Sequence, residues 1–97
     1  MYGTVARIRV KPGAEQQLIE MSHDESGLHI PGYICQYVYR MDQDPDEYYL
    51  VVLFESRETY FANTDSPEQN ARYQVFRAML ASDPEWHDGE VVYADSQ

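Results

Sequence analysis

The sequence has little cysteine and little positive charge. Its single cysteine, Cys35, rules out an intramolecular disulfide and any metal site built from several cysteines. Cys35 lies in an apolar stretch, so we interpret it as a small buried hydrophobic residue. Lys and Arg number 7 against 17 Asp and Glu, which gives a formal net charge of −10 at pH 7. Nucleic acids and anionic membranes attract proteins through Lys and Arg, so both are poor partners for this chain.

Long apolar runs and catalytic motifs are also missing. No run approaches the roughly 20 apolar residues of a membrane-spanning helix. The N-terminus begins with strand-like alternation rather than the apolar core of a signal peptide, which favours a cytoplasmic location. The three histidines, His23, His29 and His87, have no metal-ligand spacing, so we expect no metal site. The sequence also contains no Ser/His/Asp set and no Gly-rich phosphate loop.

What remains is the composition of one folded domain over residues 1–97. Hydrophobic residues make up 43% of the chain and charged residues 25%, which is ordinary for a globular protein. The unusual feature is nine tyrosines beside three phenylalanines and one tryptophan. Tyrosine combines an apolar ring with a polar hydroxyl group and suits half-wet cavities and interfaces.

Hydrophobic periodicity predicts the order β–α–β–β–α–β, with an extra short helix before the second main helix. This order is typical of a ferredoxin-like α+β fold, in which both main helices cover one face of a four-stranded antiparallel sheet. The predicted strands are Tyr2–Val10, Tyr33–Met41, Tyr48–Phe54 and Trp86–Ala94. The predicted helices are Ala14 to about Asp24, one capped by Ser56 that ends near Asn63, and one capped by Ser66, with a capping box at Gln69, that ends near Asp83.

The two central strands are apolar on both faces, so both faces of the sheet need cover. The helices of one chain cover only one face. An exposed apolar face of several strands exceeds what monomers usually tolerate. A second copy packed sheet against sheet is the simplest cover, and we therefore predict a homodimer.

Four stretches resemble the antibiotic biosynthesis monooxygenase (ABM) domain family of the dimeric α+β barrel superfamily. They are TVARIRVKPGAEQQLIEM, PGYICQYVYRMDQDPDEYYLVVLFES, RETYFANTDSPEQNARYQVF and EVVYA, which together span nearly the whole chain. The resemblance implies a dimeric barrel with a small-molecule cavity between sheet and helices in each subunit. Some members of this family oxidise phenolic polyketides with O₂ and without metal or flavin, and others degrade haem.

The haem-degrading branch is poorly matched. Its Trp position falls on Asn63, its iron-ligating His position on Tyr73 or a neighbour, and its Asn position near Arg7. The quinone-forming branch lines its cavity with polar and aromatic side chains, and the resemblance implies such a lining here. By this resemblance the catalytic candidates are Asn63, Asn70, Arg72 and Tyr73, and the pocket candidates are Tyr60, Phe76, Tyr37 and His87.

Two functions follow from these residues. The first is a cofactor-independent monooxygenase that oxidises a small aromatic or phenolic compound with O₂. The second is a dimeric, non-catalytic small-molecule-binding protein of the same fold. For each candidate residue a structural role competes with the functional one. Arg72, for example, could reach the rim of the helix or pair with a carboxylate such as Glu55.

Overall fold

The computed structural model describes residues 1–97. The strands are β1 (Tyr2–Arg9), β2 (Tyr33–Arg40), β3 (Glu47–Phe54) and β4 (Glu85–Glu90), and the helices are α1 (Glu15–Ser26), α2 (Arg57–Thr64) and α3 (Pro67–Ala78). The four strands form one antiparallel sheet in the order β2-β3-β1-β4. This confirms the predicted α+β, ferredoxin-like topology.

The helices cover one face of the sheet, and the core lies beneath them. Alternate residues of β1 point to that face because strand side chains alternate, and Ala6 and Ile8 among them are fully buried. α1 contributes Leu18 and α3 contributes Phe76 to the same core. The full buried cluster is Ala6, Ile8, Val10, Ala14, Leu18, Tyr48, Leu50, Phe76, Met79 and Leu80.

Local signals start α2 and α3 where the sequence predicts. The Ser56 hydroxyl accepts a hydrogen bond from the Thr59 backbone N–H, and the Thr59 hydroxyl accepts one from the Ser56 backbone N–H. The Ser66 hydroxyl caps α3 by accepting from the Gln69 backbone N–H, and proline occupies the first turn. The predicted capping box at Gln69 is only half formed, because the Gln69 side chain accepts from Arg72 instead.

A tight turn at Ile30–Tyr33 leads into β2. The Tyr33 N–H donates to the Ile30 carbonyl at 3.1 Å, and Gly32 has φ of +80°. Proline followed by a positive-φ glycine is the pattern of a type II turn. A side chain at Gly32 would collide with Thr59 of α2, so the glycine also lets α2 approach the turn closely.

Regular strand alternation predicts that Tyr33 shares a face with Cys35, Tyr37 and Tyr39, and the structure shows that this is wrong for Tyr33. Tyr33 pairs with Phe54 and Cys35 with the adjacent Leu53, so Ile34 is an extra residue in the ladder. Such a β-bulge shifts the alternation by one position. Tyr33 therefore shares the helix-covered face with Gln36 and Val38, while Cys35, Tyr37 and Tyr39 point to the other face.

Two predicted ends are corrected. α3 stops at Ala78, because the chain turns there and pairs with the end of β1 through Val10 and Leu80. β4 stops at Glu90 rather than Ala94. Its partner β1 begins at Tyr2, so the only backbone hydrogen bond beyond Glu90 is from the Val91 N–H to the Met1 carbonyl.

The other face of the sheet has no cover within the chain. Val5 and Tyr37 on this face are 45% and 56% exposed. Ion pairs lie at one end of it, where Arg7 contacts Glu47 at 2.9 Å and Glu85 at 3.7 Å. The longest helices have 12 residues, and none combines the length and apolarity needed to cross a bilayer.

Candidate functional site

A cavity of about 100 Å³, which we call the chamber, lies between the sheet and the three helices. Its floor comes from β1, β2, β3 and β4, and its walls come from all three helices and the loop before β2. The lining residues are Thr4, Leu18, Met21, Ser22, Glu25, Ile30, Tyr33, Gln36, Leu50, Val52, Phe54, Tyr60, Asn63, Gln69, Arg72, Tyr73, Phe76 and Trp86.

Arg72 brings a half-buried positive charge to the chamber. Its Nε donates to Gln69 Oε1 at 3.1 Å, and its Nη2 lies 3.4 Å from Asn63 Oδ1. These partners are neutral, and Arg72 forms no ion pair, with Glu55 or any other carboxylate. The guanidinium group is thus held in place by two amides while its charge remains uncompensated by any direct contact.

Tyr60 closes the chamber at the β4 side. Its ring is 6% exposed and packs edge-on against Tyr2 and Phe54 at centroid distances of 5.4 and 5.7 Å. Its hydroxyl donates to Asp88 Oδ1 at 2.9 Å. Burial first, and the Asp88 carboxylate second, raise the pKa of Tyr60 well above its ordinary value. Tyr60 is therefore a protonated hydrogen-bond donor at neutral pH.

Thr4 places an unpaired hydroxyl group in the chamber. The residue is 4% exposed, and its Oγ1 has no hydrogen-bond partner. It lies close enough to Tyr60 to oppose the rise in the pKa of that residue, although the contact falls short of hydrogen-bond geometry. A buried polar atom without a partner is uncommon and costs free energy, so Thr4 is free to bond to a molecule in the chamber.

Glu25 brings a carboxylate to the same chamber, and it is absent from the residues selected from the sequence. It lies in the last turn of α1 and is half-buried. Burial raises its pKa, and the charge of Arg72 opposes the rise. The only sequence signal for it was its place near the end of a helix whose apolar stripe faces the sheet.

Five of the eight predicted site residues line the chamber together. They come from α2 and α3, the helix pair that carried the resemblance, and each faces the sheet. They are Asn63, Arg72 and Tyr73 of the predicted catalytic set and Tyr60 and Phe76 of the predicted pocket set.

The other three lie elsewhere, so their predicted place in the cavity is corrected. Asn70 is exposed on α3, because it follows Gln69 by one residue and so points away from the sheet-facing side of the helix. Tyr37 is on the open face of the sheet, since Gln36 and Val38 take the helix-covered face. His87 is also on the open face, where its Nε2 lies 2.8 Å from Glu85 Oε1.

An open groove of about 750 Å³ lies between α1 and α3 and shares the residues Met21, Glu25 and Arg72 with the chamber. A second groove of about 460 Å³, beside the loop before β2, shares Ile30, Asn63 and Arg72 with the chamber. Arg72 therefore borders the chamber and both grooves. No three His, Cys, Asp or Glu side chains are grouped so that they could hold a metal ion.

A sheet of this order, with its helices on one face and a partly polar chamber beneath them, defines a ferredoxin-like α+β protein with a small-molecule cavity. The family model described as antibiotic biosynthesis monooxygenase matches residues 1–80. The chain belongs to this ABM family, which confirms the resemblance found in the sequence. The matched range contains every chamber residue except Trp86.

Solved structures share the fold. A putative ABM protein from Chloroflexus aurantiacus is 25% identical with a TM-score of 0.76, covering 98% of this chain and 96% of its own. A putative ABM protein from Bordetella bronchiseptica is 20% identical with a TM-score of 0.78, and the match covers 95% of this chain and 97% of that protein. SnoaB, a cofactor-independent oxygenase from Streptomyces nogalater solved as a mutant, is 12% identical with a TM-score of 0.78, covering 96% and 94%. No curated protein matches the chain.

Proposed function

We propose that this protein is a cofactor-independent monooxygenase that oxidises a small aromatic or phenolic compound with O₂. The observation that carries the proposal is the uncompensated charge of Arg72, held by Asn63 and Gln69 at the edge of an aromatic-walled chamber. Membership of the ABM family and the shared fold of a cofactor-independent oxygenase support the same reaction class.

Each part of the chamber has a role in this reaction. The guanidinium group of Arg72 and the Asn63 amide hold an ionised phenolic oxygen, and such fixed donors act strongly where water is scarce. Tyr73 and Phe76, whose ring centroids lie 6.3 Å apart, form an apolar wall for the substrate ring. Tyr60 supplies a second wall. Its own proton is bound too firmly for it to serve as a base.

The substrate itself supplies the electrons. In an anthrone, the phenolate form delivers electrons from the ring to O₂, and the methylene carbon between the rings becomes a carbonyl. One oxygen atom of O₂ enters the product, and the other leaves as water with the two methylene hydrogens. The four electrons that O₂ accepts all come from the substrate, so the reaction needs no further reductant.

The size of the chamber limits the substrate. An apolar protein cavity of about 150 Å³ holds one benzene molecule. A chamber of about 100 Å³ therefore accommodates at most a single ring without side-chain movement. A polycyclic substrate would place one ring in the chamber and the rest in the groove between α1 and α3, past Arg72.

A second candidate is a non-catalytic small-molecule-binding protein of the same fold. The same small volume favours it, because a chamber of this size suits the binding of a single small ligand. The two candidates differ in one measurable property. Both bind a phenol in the chamber, and only the oxygenase consumes O₂ with it.

The test is oxygen consumption with a panel of hydroquinones and anthrones, corrected for their spontaneous oxidation. Replacing Arg72 with glutamine should lower kcat/KM roughly 100-fold, the typical loss for one fixed donor to a developing oxyanion. Arg77→Gln is the matched control, since Arg77 lies on the same helix and pairs with Asp83 at the surface. No turnover across the panel by the wild-type protein refutes the oxygenase. Binding without turnover supports the second candidate.

We further propose that the single domain of residues 1–97 acts as a homodimer in which the open sheet faces pack together. The exposed apolar residues Val5 and Tyr37 support this arrangement, and members of the family are expected to form such dimeric barrels. Light scattering at micromolar concentration should give the mass of two chains. A stable monomer there would refute the dimer. The cytoplasmic location remains a prediction from the sequence.

A further inference from the structure

We propose that Glu25 is the proton acceptor of the chamber and takes the proton from the hydroxyl group of a bound phenol. This inference rests on the proposed function, because it assigns the group that creates the phenolate which reacts with O₂. Proton removal by a positioned side chain requires a base within hydrogen-bond reach of the hydroxyl group.

Glu25 is the only carboxylate among the residues that line the chamber. Its side chain makes no hydrogen bond and no ion pair, whereas the carboxylates of Glu15, Asp44, Glu47 and Asp88 all have partners. A half-buried carboxylate without a partner is costly. A hydroxyl group in the chamber would satisfy it.

The opposite charges of Glu25 and Arg72 line the same chamber without touching. No ion pair joins them, although both also line the groove between α1 and α3. A ligand oxygen between them has a cation on one side and a proton acceptor on the other. That arrangement suits a neutral phenol that must be converted into an anion and held as one.

The surroundings of Glu25 increase its strength as a base. Burial raises its pKa, which makes the carboxylate a better proton acceptor, and the charge of Arg72 opposes the rise. Its place in the last turn of α1, at the negative end of the helix dipole, acts in the same direction as burial. The other titratable groups of the chamber are Tyr33, Tyr60, Arg72 and Tyr73.

The proton transfer is balanced within the site. The O–H bond of the phenol breaks, its electron pair stays on the oxygen as a phenolate beside Arg72, and the proton forms an O–H bond with the Glu25 carboxylate. Because Glu25 also lines the open groove, its proton can pass to solvent before the next cycle. Tyr33 and Tyr60 cannot replace it, since the pKa of each is raised above the ordinary tyrosine value.

The test uses 4-nitrophenol, whose neutral and ionised forms absorb at different wavelengths, at a pH where the free probe is neutral. The wild-type protein should bind it as the phenolate without releasing a proton to the buffer, because Glu25 keeps the proton. Calorimetry in two buffers of different ionisation enthalpy measures that release. Glu25→Gln should bind the probe as the neutral phenol, or as the phenolate with release of a proton.

Glu58→Gln is the matched control, since Glu58 is exposed on α2 and lies outside the chamber, and it should behave as the wild type. The inference is wrong if the wild-type protein binds no probe or binds it as the neutral phenol. It is equally wrong if Glu25→Gln forms the phenolate without releasing a proton.

Oxygen consumption, measured separately on the same proteins, keeps the two proposals distinguishable. Glu25→Gln should lower kcat about 100-fold, within the usual range for loss of a general base. Glu25→Asp, which keeps a shorter carboxylate, should recover part of the loss. If the wild-type protein ionises the probe but consumes no O₂ with any substrate, the proposed role of Glu25 in binding stands and the proposed oxygenase activity is refuted.

Discussion

The space between sheet and helices has two ends, each built around a buried tyrosine that donates to a carboxylate. At the packed end, Tyr48 donates to Glu15 at 2.7 Å, and Arg40 binds the same carboxylate. At the chamber end, Tyr60 donates to Asp88 at 2.9 Å, and no arginine joins them. The charges of the packed end form an ion pair, whereas at the chamber end Glu25 and Arg72 form none and the Thr4 hydroxyl group has no hydrogen-bond partner.

The two ends differ in role: one stabilises the fold and the other is available to bind a ligand. A fully paired polar network rigidifies the structure around it, and the Glu15 network anchors the start of α1, which has no side-chain cap of its own. Unpaired buried groups reduce stability, and proteins retain them where a ligand completes them. The packed end therefore holds the helices on the sheet, and the chamber end is where chemistry can occur.

The largest expected effect tests the packing of the core near the packed end. Leu80→Ala removes a side chain that is 1% exposed, and it should lower the free energy of unfolding by about 3 kcal/mol through lost burial and a new cavity. Urea denaturation measures the change. Leu28→Ala is the matched control, because Leu28 is 44% exposed beside the chamber end and should cost far less. Equal costs would show that Leu80 is not packed in the core.

A smaller effect of opposite sign is expected at the chamber end. Thr4→Val removes an unpaired buried hydroxyl group, and it should raise the free energy of unfolding by about 1 kcal/mol while weakening the binding of 4-nitrophenol. Thermal unfolding and a binding titration measure the two changes. Thr64→Val serves as the control, since the exposed Thr64 hydroxyl already bonds to the Phe61 carbonyl. A destabilised Thr4→Val protein would mean that this hydroxyl group is satisfied in the free protein.

The smallest effect concerns acid stability at the packed end. Hydrogen bonds from Tyr48 first, and Arg40 second, lower the pKa of Glu15. The stabilisation from Glu15 is therefore complete above its unfolded pKa and is lost as the pH falls through its folded pKa. Tyr48→Phe raises the folded pKa, so acid unfolding followed by circular dichroism should begin at a higher pH, by a fraction of a pH unit. Tyr37→Phe should leave the acid midpoint unchanged, and a matching shift there would contradict this account.

Periodicity and capping signals were enough to predict the fold, because each is local. The alternation in β1 and the Ser56 and Ser66 caps depend on neighbouring residues alone. The ends of α3 and β4 were not predictable in the same way. They depend on where β1 begins and ends as a partner, and pairing between distant segments has no local signal.

The site residues show the same difference between features that have a local sequence signal and features that depend on distant segments. Arg72 and Tyr73 lie on the face of α3 that the apolar pattern already turned towards the sheet. Asn63 and Asn70 were chosen from the resemblance, and Asn70 was chosen against the phase of its own helix. Applying that phase would have excluded it. Glu25 was missed because a charged residue near a helix end is usually solvated, and its burial comes from α3 and the sheet rather than from its neighbours in sequence.

The bulge at Ile34 makes the chamber wall tolerant of a change in chain length. Ile34 is the residue without a partner, while Tyr33 pairs with Phe54 and Cys35 pairs with the adjacent Leu53. Deleting Ile34 would place Tyr33 and Cys35 in regular alternation, so Tyr33 would still face the chamber and the rest of β2 would stay in register with β3. One residue can therefore be lost at this point of the strand without removing the tyrosine ring from the chamber.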